Sequence, residues 1–269
     1  MAANVVSQAR GRKATGSSRL RAAWEVVKSF SGAFLIYLVV NTFLLAAYRI
    51  PSGSMIPTLL VGDWLFVNKA VYGPHIPFTR VRLPGYREPR RGDVIVFESP
   101  YQADEAARGA DPTPTLVKRM VGMPGDTLFM REGLLFVNGT PQRQGFGATS
   151  RASSESSQPT DTDPLFDWQH RIESTQSRFG PAPAQPTHDR WGPLIIPSGY
   201  FFMMGDNRYC SKDGRYWGLV PRDNIRGRPL FVYYSYRPTT GDACSGDASD
   251  RPLPFITDIR WGRIGSRIR

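Results

Sequence analysis

Two serines that lie one residue apart are the first candidates for chemistry in this chain. They are Ser52 and Ser54, in the stretch Pro51-Ser52-Gly53-Ser54-Met55-Ile56-Pro57. Gly53 allows backbone dihedrals that other residues rarely adopt, and the flanking prolines fix φ and disfavour a helix. The pattern predicts an exposed, stiffened Ser54 that could act as a nucleophile. Because a serine hydroxyl is a weak nucleophile by itself, a neighbouring base has to remove its proton.

The base could be a histidine or a lysine. A Ser-His-Asp triad needs a histidine oriented by a carboxylate, but His75, His170 and His188 lie in Pro-rich or polar sequence that is typical of solvated loops. Lys118 lies among mostly apolar residues, where burial would lower its pKa. We expect the adjacent positive charge of Arg119, on the opposite face of the strand, to lower that pKa further. The alternative is that Lys118 occupies the solvent face of an amphipathic strand.

A polar loop late in the chain could orient such a base. The segment 205–218 follows an apolar strand and is dense in side chains that form hydrogen bonds. Within it, Ser211 could hold a neutral amine, and Asp213 could pair with Arg215. The alternative interpretation is a surface turn rich in Arg and Asp.

An apolar segment precedes the two serines. Phe30 to Tyr48 comprises nineteen residues without a charge, close to the ~20 that a helix needs to cross a bilayer. We predict a basic, disordered tail over 1–23 and an uncleaved transmembrane anchor over 24–48. Since basic flanks stay in the cytoplasm, the rest of the chain should lie on the far side of the membrane. A buried core helix and a cleaved secretory signal are the alternatives.

The remainder of the chain is predicted to be mostly β. Short runs of β-branched and aromatic residues between turns are typical of strands, and we predict strands at 64–67, 93–98, 115–121, 127–131, 134–137, 199–204 and 230–236. These strands belong to a predicted domain formed by 49–144 and 194–269. The polar segment 145–193 between its two parts is predicted to be a partly ordered insertion.

Charge and cysteine content narrow the function classes. The net charge is +11, and most of it lies at the two ends of the chain. Nucleic-acid binders more often carry a basic stripe across the folded domain. Basic ends, including the tail 259–269, fit an anionic membrane surface or a precursor protein. Cys210 and Cys244 match no zinc spacing, and they could form a disulfide or remain thiols. We therefore predict no nucleic acid, metal or cofactor.

Four groups of residues, taken together, resemble the successive motifs of bacterial type I signal peptidases. The resemblance covers roughly residues 23 to 237, with the insertion at a place where the family also varies. The motifs are Pro51–Leu60 with Gly62-Asp63, then Arg91–Phe97, then Lys118-Arg119 with Gly122–Asp126, and finally Gly205–Arg208 with Ser211–Gly218.

This resemblance implies a membrane-bound serine endopeptidase that cleaves N-terminal signal peptides from exported preproteins through a Ser/Lys dyad and an acyl-enzyme. Ser54 matches the nucleophile and Lys118 the general base. The Ser54 amide and the Ser52 hydroxyl match the oxyanion hole. Ser211 matches the residue that positions the lysine.

The resemblance also carries expectations for structure and location. It implies that Asp213 and Arg215 form a structural ion pair, in a β catalytic domain with a smaller β insertion on the outer, periplasmic face of the plasma membrane. We expect a monomer that needs no cofactor and acts on preproteins with small residues at positions −1 and −3. Phe97 is a candidate wall of the substrate pockets, and the apolar residues of Met55–Leu60 are candidates for contact with the bilayer.

The sequence departs from the common family pattern in a few places. Gly214 replaces a position that is often serine, and Tyr209 and Cys210 occupy variable positions. One membrane span is predicted where several Gram-negative relatives have two. Two other functions are also compatible with the sequence. The chain could be a membrane-anchored β-rich binding protein without catalysis, or a peptidase of this fold dedicated to one secreted substrate.

Overall fold

The computed structural model describes residues 15–79, 81–143, 186–238 and 258–269, together with positions 168, 179–181 and 183. The predictions for residues before 15, for most of the insertion 145–193 and for Cys244 lie outside these residues. By its internal contacts the chain divides into two units after Thr42.

The helices and strands are mostly short. The helices are α1 (Thr15–Val39), continued by a π-helical turn (Val40–Leu44), α2 (Ala103–Ala107) and α3 (Gly214–Trp217). The strands are β1 (Leu45–Arg49), β2 (Asp63–Asn68), β3 (Val94–Glu98), β4 (Thr115–Gly122), β5 (Thr127–Arg131), β6 (Leu134–Val137), β7 (Thr140–Pro141), β8 (Trp191–Ile195), β9 (Tyr200–Met204), β10 (Val220–Pro221) and β11 (Ile225–Ser235). The predicted mostly β fold is therefore confirmed.

The amino-terminal helix contains a candidate membrane span. Within the described residues, Ala23–Leu44 is long and apolar enough to cross a membrane, and no part of it is buried in the structure. The helix starts at Thr15, inside the tail that we predicted to be disordered. It ends four residues before the predicted limit at Tyr48, because the next residues form β1 and pair with β2, with Tyr48 opposite Leu65.

A seven-stranded antiparallel sheet carries most of the second unit. Its strand order is β1-β2-β11-β3-β4-β9-β10. The sheet is packed on both faces, since alternate residues of β3 enter different hydrophobic clusters. Ile95 and Phe97 pack with Trp217, whereas Val94 and Val96 pack in the cluster that holds Met55. In this strand order β4 lies inside the sheet, between β3 and β9.

A second, four-stranded sheet has the order β7-β6-β5-β8. The predicted hairpin between β5 and β6 turns at Glu132 and Gly133, which both have positive φ (51° and 73°), as a two-residue type I′ turn requires. β8 begins at Trp191, inside the predicted insertion, because Trp191 is fully buried and pairs with Met130 of β5. The insertion boundary predicted at residue 193 is thus too late.

The basic carboxyl-terminal segment is part of the folded domain. Its backbone pairs with β11, with the Val232 amide donating to Ser266 at 3.0 Å and the Gly265 amide donating to Val232 at 2.8 Å. Arg263 contacts the buried carboxylate of Asp63. Hence the predicted role of this segment as a lipid or precursor contact does not hold for Arg263, whose charge is used inside the protein.

Candidate active site

Ser54 lies in a single 3₁₀ turn, Gly53–Met55, between β1 and β2. It is 6% exposed, so the prediction of an exposed serine is wrong. The turn is held by Asn207, whose backbone amide donates to the Ser54 carbonyl at 3.1 Å and whose side-chain amide donates to the Gly53 carbonyl at 3.3 Å.

Core packing anchors the residues that follow the turn. Met55 and Leu59 have no exposed surface and belong to one hydrophobic cluster with Leu65 and Val67. The prediction that Met55–Leu60 contacts the bilayer is therefore wrong for Met55 and Leu59. Their side chains fix the path of the backbone that carries Ser54.

Lys118 reaches Ser54 from β4. Its Nζ lies 2.5 Å from the Ser54 Oγ, and the residue is 4% exposed. Burial lowers the pKa of Lys118 from 10.5 to about 8, an effect that the carboxylates of Asp213 and Asp206 oppose and the guanidinium of Arg215 reinforces. The amine is therefore neutral in an appreciable fraction of molecules near pH 8, and its lone pair can then accept the Ser54 proton.

Arg119 does not contribute to this shift in the way we predicted. Its Nε and Nη2 each donate to one carboxylate oxygen of Asp206 at 2.7 Å. Such a two-point pair largely compensates the Arg119 charge. The positive charge that lowers the pKa of Lys118 comes from Arg215.

The polar loop after β9 is tied to the turn that carries Ser54 and to the residues that follow this turn. Asp206 accepts a hydrogen bond from the Thr58 hydroxyl at 2.6 Å, and the next residue, Asn207, holds the Ser54 carbonyl. No local pattern in the sequence assigned a role to Thr58, because its partner Asp206 lies 148 residues away in the chain.

Asp213 and Arg215 form a fully buried ion pair. Arg215 Nε and Nη2 donate to the two oxygens of Asp213 at 2.8 and 2.9 Å, and both side chains are 0% exposed. Burial alone would raise the pKa of Asp213, but Arg215 holds it below its usual range. Asp213 also accepts from the Gly205 amide at 3.0 Å, so the pair supports the loop that holds Ser54.

His188 lies beside this pair. Its Nε2 contacts the Arg215 guanidinium, its Nδ1 lies 2.9 Å from Asp189, and its ring stacks on Tyr209. Burial and the Arg215 charge lower the pKa of His188. A buried neutral imidazole was not predicted, since we expected a solvated loop histidine.

Ser211 lies against Gly205. A Cβ atom on Gly205 would come within 2.2 Å of the Ser211 Oγ and 2.5 Å of the Ser54 carbonyl oxygen. The Ser211 hydroxyl is buried, and it makes no hydrogen bond within the part of the chain that the structure describes. The predicted hydrogen bond to Lys118 is thus not formed in this structure, although Ser211 and the Ser54 carbonyl both lie against Gly205.

Ser54 and Lys118 both line a surface groove. Its walls are mainly apolar and come from the chain around β1 and from β2, β3 and β4: Tyr48, Arg49, Ile50, Pro51, Ser52, Leu65, Val96, Thr115, Leu116 and Val117. Ser52 lies on this groove next to the turn. Phe97, predicted as a wall, is instead fully buried against Trp217 on the other face of β3.

Among the described residues, no group of three or more His, Cys, Asp or Glu side chains could hold a metal ion. Cys210 is disulfide-bonded, whereas Cys244 lies outside the described residues.

Comparison with known proteins identifies the family. The family model "Signal peptidase, peptidase S26" matches residues 23–234. The signal peptidase I of Pseudomonas fluorescens is 36% identical over 226 residues, which cover 79% of this chain and 72% of that protein. The signal peptidase I of Pseudomonas aeruginosa is 36% identical over 223 residues, with the same coverage. These matches confirm the resemblance found in the sequence motifs.

Solved structures include a relative as well. The crystal structure of a signal peptidase I from Enterococcus faecalis V583 shares 26% identity with this chain, covering 53% of this chain and 97% of that one, with a TM-score of 0.30.

Proposed function

The chain belongs to the peptidase S26 family of signal peptidases, and on that premise we propose that Ser54 and Lys118 are its catalytic dyad. Family membership makes the protein a hydrolase that cleaves signal peptides. The observation that carries the finer proposal is the 2.5 Å distance between the Ser54 Oγ and the Lys118 Nζ, at the end of an apolar groove.

The first half of the reaction forms an acyl-enzyme. Neutral Lys118 accepts the Ser54 proton as the Oγ attacks the scissile carbonyl carbon. The Ser54 amide and the Ser52 hydroxyl donate to the oxyanion of the tetrahedral intermediate, a contribution of ~3 to 4 kcal/mol per donor in other hydrolases. The Lys118 ammonium then gives its proton to the leaving amine as the peptide bond breaks, and the signal peptide stays as an ester on Ser54.

The second half releases the signal peptide. Lys118, neutral again, takes a proton from a water molecule that attacks the ester carbonyl. The tetrahedral intermediate collapses, and the proton returns from Lys118 to the Ser54 oxygen. In this scheme Ser211 positions the lysine amine, and Asp213 and Arg215 support the loop structurally.

The groove favours an extended peptide with small side chains. Its apolar walls, among them Val96 and Leu116, lie close to Lys118. We propose preproteins with small residues at −1 and −3 as substrates, since larger side chains would overlap with the walls. Ala23–Leu44 would anchor the enzyme in the bilayer of the plasma membrane, with its amino terminus in the cytoplasm and its catalytic domain on the outer face. We propose that the enzyme is a monomer.

The test is cleavage of several unrelated preproteins that carry an Ala-X-Ala site, by the full chain in detergent. Ser54→Ala and Lys118→Met should be folded and inactive, because each lacks one member of the dyad. Lys69→Met, the same change at a half-buried lysine outside the site, should keep activity. Cleavage by Lys118→Met would show that the base is another group. Cleavage of a single precursor only would favour a dedicated peptidase, and cleavage of none a non-catalytic protein.

A further inference from the structure

We propose that Arg263 is a positioning residue for Ser54, acting through Thr58 and Asp206. The proposal rests on the function proposed above for Ser54. Arg263 lies in the carboxyl-terminal segment, far in sequence from the nucleophile, and it does not line the groove. Its effect would therefore be on the geometry of the reacting atoms and not on substrate contact.

Arg263 joins two points of the loop that follows the nucleophile turn. Its Nη2 donates to the Thr58 carbonyl at 3.0 Å and to Asp63 Oδ2 at 2.5 Å, and its Nε lies 3.1 Å from both Asp63 oxygens. Asp63 is fully buried and also accepts from the Leu60 amide at 2.9 Å and from the Ser235 hydroxyl at 2.6 Å. Arg260 supports the same loop, since its Nη2 donates to the Val61 carbonyl at 2.9 Å and its Nη1 lies 3.6 Å from Asp63 Oδ1. Arg263 is the arginine that joins Thr58 to Asp63.

The same loop is connected to Ser54 by side-chain contacts. The Thr58 hydroxyl donates to Asp206, which Arg119 holds at two points, and the adjacent Asn207 amide donates to the Ser54 carbonyl. A shift of the Thr58 backbone would move Asp206 and, through the covalent neighbour Asn207, the turn that carries Ser54. Arg263 fixes the Thr58 end of this sequence of contacts.

Apolar packing joins the carboxyl-terminal segment to the same place. Ile268 is 7% exposed and belongs to the cluster that contains Met55 and Leu59. The backbone carbonyl of Arg269 accepts from Arg119 Nη2 at 3.1 Å. The segment that carries Arg263 therefore shares a hydrophobic cluster with Met55 of the Ser54 turn, in addition to the Arg263 contacts with Thr58 and Asp63.

Loss of this support should reduce kcat more than it changes KM. Misplacement of a reacting atom by ~1 Å can cost about 100-fold in rate, whereas the groove walls stay in place. Arg263→Ala is expected to lower kcat by about 10- to 100-fold with KM within about twofold. Arg263→Lys keeps a charge for Asp63 but lacks the planar fork that also reaches Thr58, so kcat should be intermediate.

The experiment measures kcat, KM and single-turnover acylation of the full chain in detergent on one preprotein. Arg267→Ala is the matched control, since Arg267 is an exposed arginine of the same segment, and it should leave both constants unchanged. Thermal unfolding is followed for each variant. If Arg263→Ala does not fold, Arg263→Lys and the charge-neutral pair Arg263→Met with Asp63→Asn decide the question.

The outcomes separate this inference from the proposed function. A folded Arg263 variant with reduced kcat, slowed acylation and unchanged KM supports positioning. Wild-type kcat in any folded Arg263 variant that lacks the Thr58 contact overturns it. Failure of the unaltered chain to cleave, or cleavage by Ser54→Ala, would refute the proposed function and this inference with it. Normal cleavage by the unaltered chain, together with wild-type kcat in a folded Arg263 variant, would refute the inference alone.

Discussion

Acidification should switch the enzyme off through Lys118. A lysine base works only when it is neutral, and the pKa of Lys118 is lowered from 10.5 to about 8. About half of the molecules then hold a neutral amine at pH 8 and about 1% at pH 6, so kcat/KM should fall about 50-fold between these values. With an ordinary pKa, less than about 1% would be neutral even at pH 8.

The assay is kcat/KM for one preprotein between pH 5.5 and 10, with the free enzyme's acid limb fitted to a single ionisation. Unfolding is monitored over the same range, so that loss of structure is separated from protonation. Ser54→Ala, which keeps Lys118, should show no activity at any pH. An acid limb with its midpoint near 10, or a constant rate from pH 6 to pH 9, would refute the idea that burial prepares Lys118 as the base.

Three substitutions test other parts of the site. Ser211→Ala should lower kcat about tenfold, the rate equivalent of about one hydrogen bond, because the proposed scheme has its hydroxyl position the Lys118 amine during the reaction; unchanged kcat would refute that role. Its stability should stay nearly unchanged, because the hydroxyl makes no hydrogen bond among the described residues. Asp213→Asn should destabilise the fold by about 3 to 5 kcal/mol in denaturant unfolding, because it leaves Arg215 buried without its charge partner. Lys118→Met should be inactive yet more stable than the wild type at pH 7, because it removes a buried cation; equal or lower stability would contradict this.

Much of the fold could be predicted from local patterns. Strand β3 begins with a run of β-branched and aromatic residues, Val94 to Phe97, so that its type follows from composition. β1 could not be found in this way, since its first four residues, Leu45 to Tyr48, continue the apolar run of the helix without a break. Only its pairing with β2, which is tertiary, makes it a strand. β8 was not predicted for a similar reason, because it is its pairing with β5 and the burial of Trp191 that make it a strand.

The residues of the candidate site could be predicted from the sequence more easily than their burial and their electrostatic surroundings. Residue type made Ser54 a candidate nucleophile and Lys118 a candidate base, and the resemblance of the surrounding motifs to the signal peptidase family matched the two residues to each other. The burial of Ser54 and the role of Arg215, instead of Arg119, in the electrostatics of Lys118 depend on which side chains meet in three dimensions. Long-range contacts such as Thr58 with Asp206 leave no local pattern in the sequence.

The lowered pKa of Lys118 has a cost in the free energy of folding. In the unfolded chain Lys118 has a pKa near 10.5, and in the folded chain a pKa of about 8. Below pH 8 the residue is protonated in both states, and the folded state carries a cost of about 3 kcal/mol. This cost declines as pH rises from 8 to 10.5 and is absent when both states are neutral. In the proposed mechanism the same desolvation lets the amine act as a base near pH 8, so the surrounding scaffold has to offset the cost. The buried Asp213–Arg215 pair and the cluster around Met55 lie where such support is required.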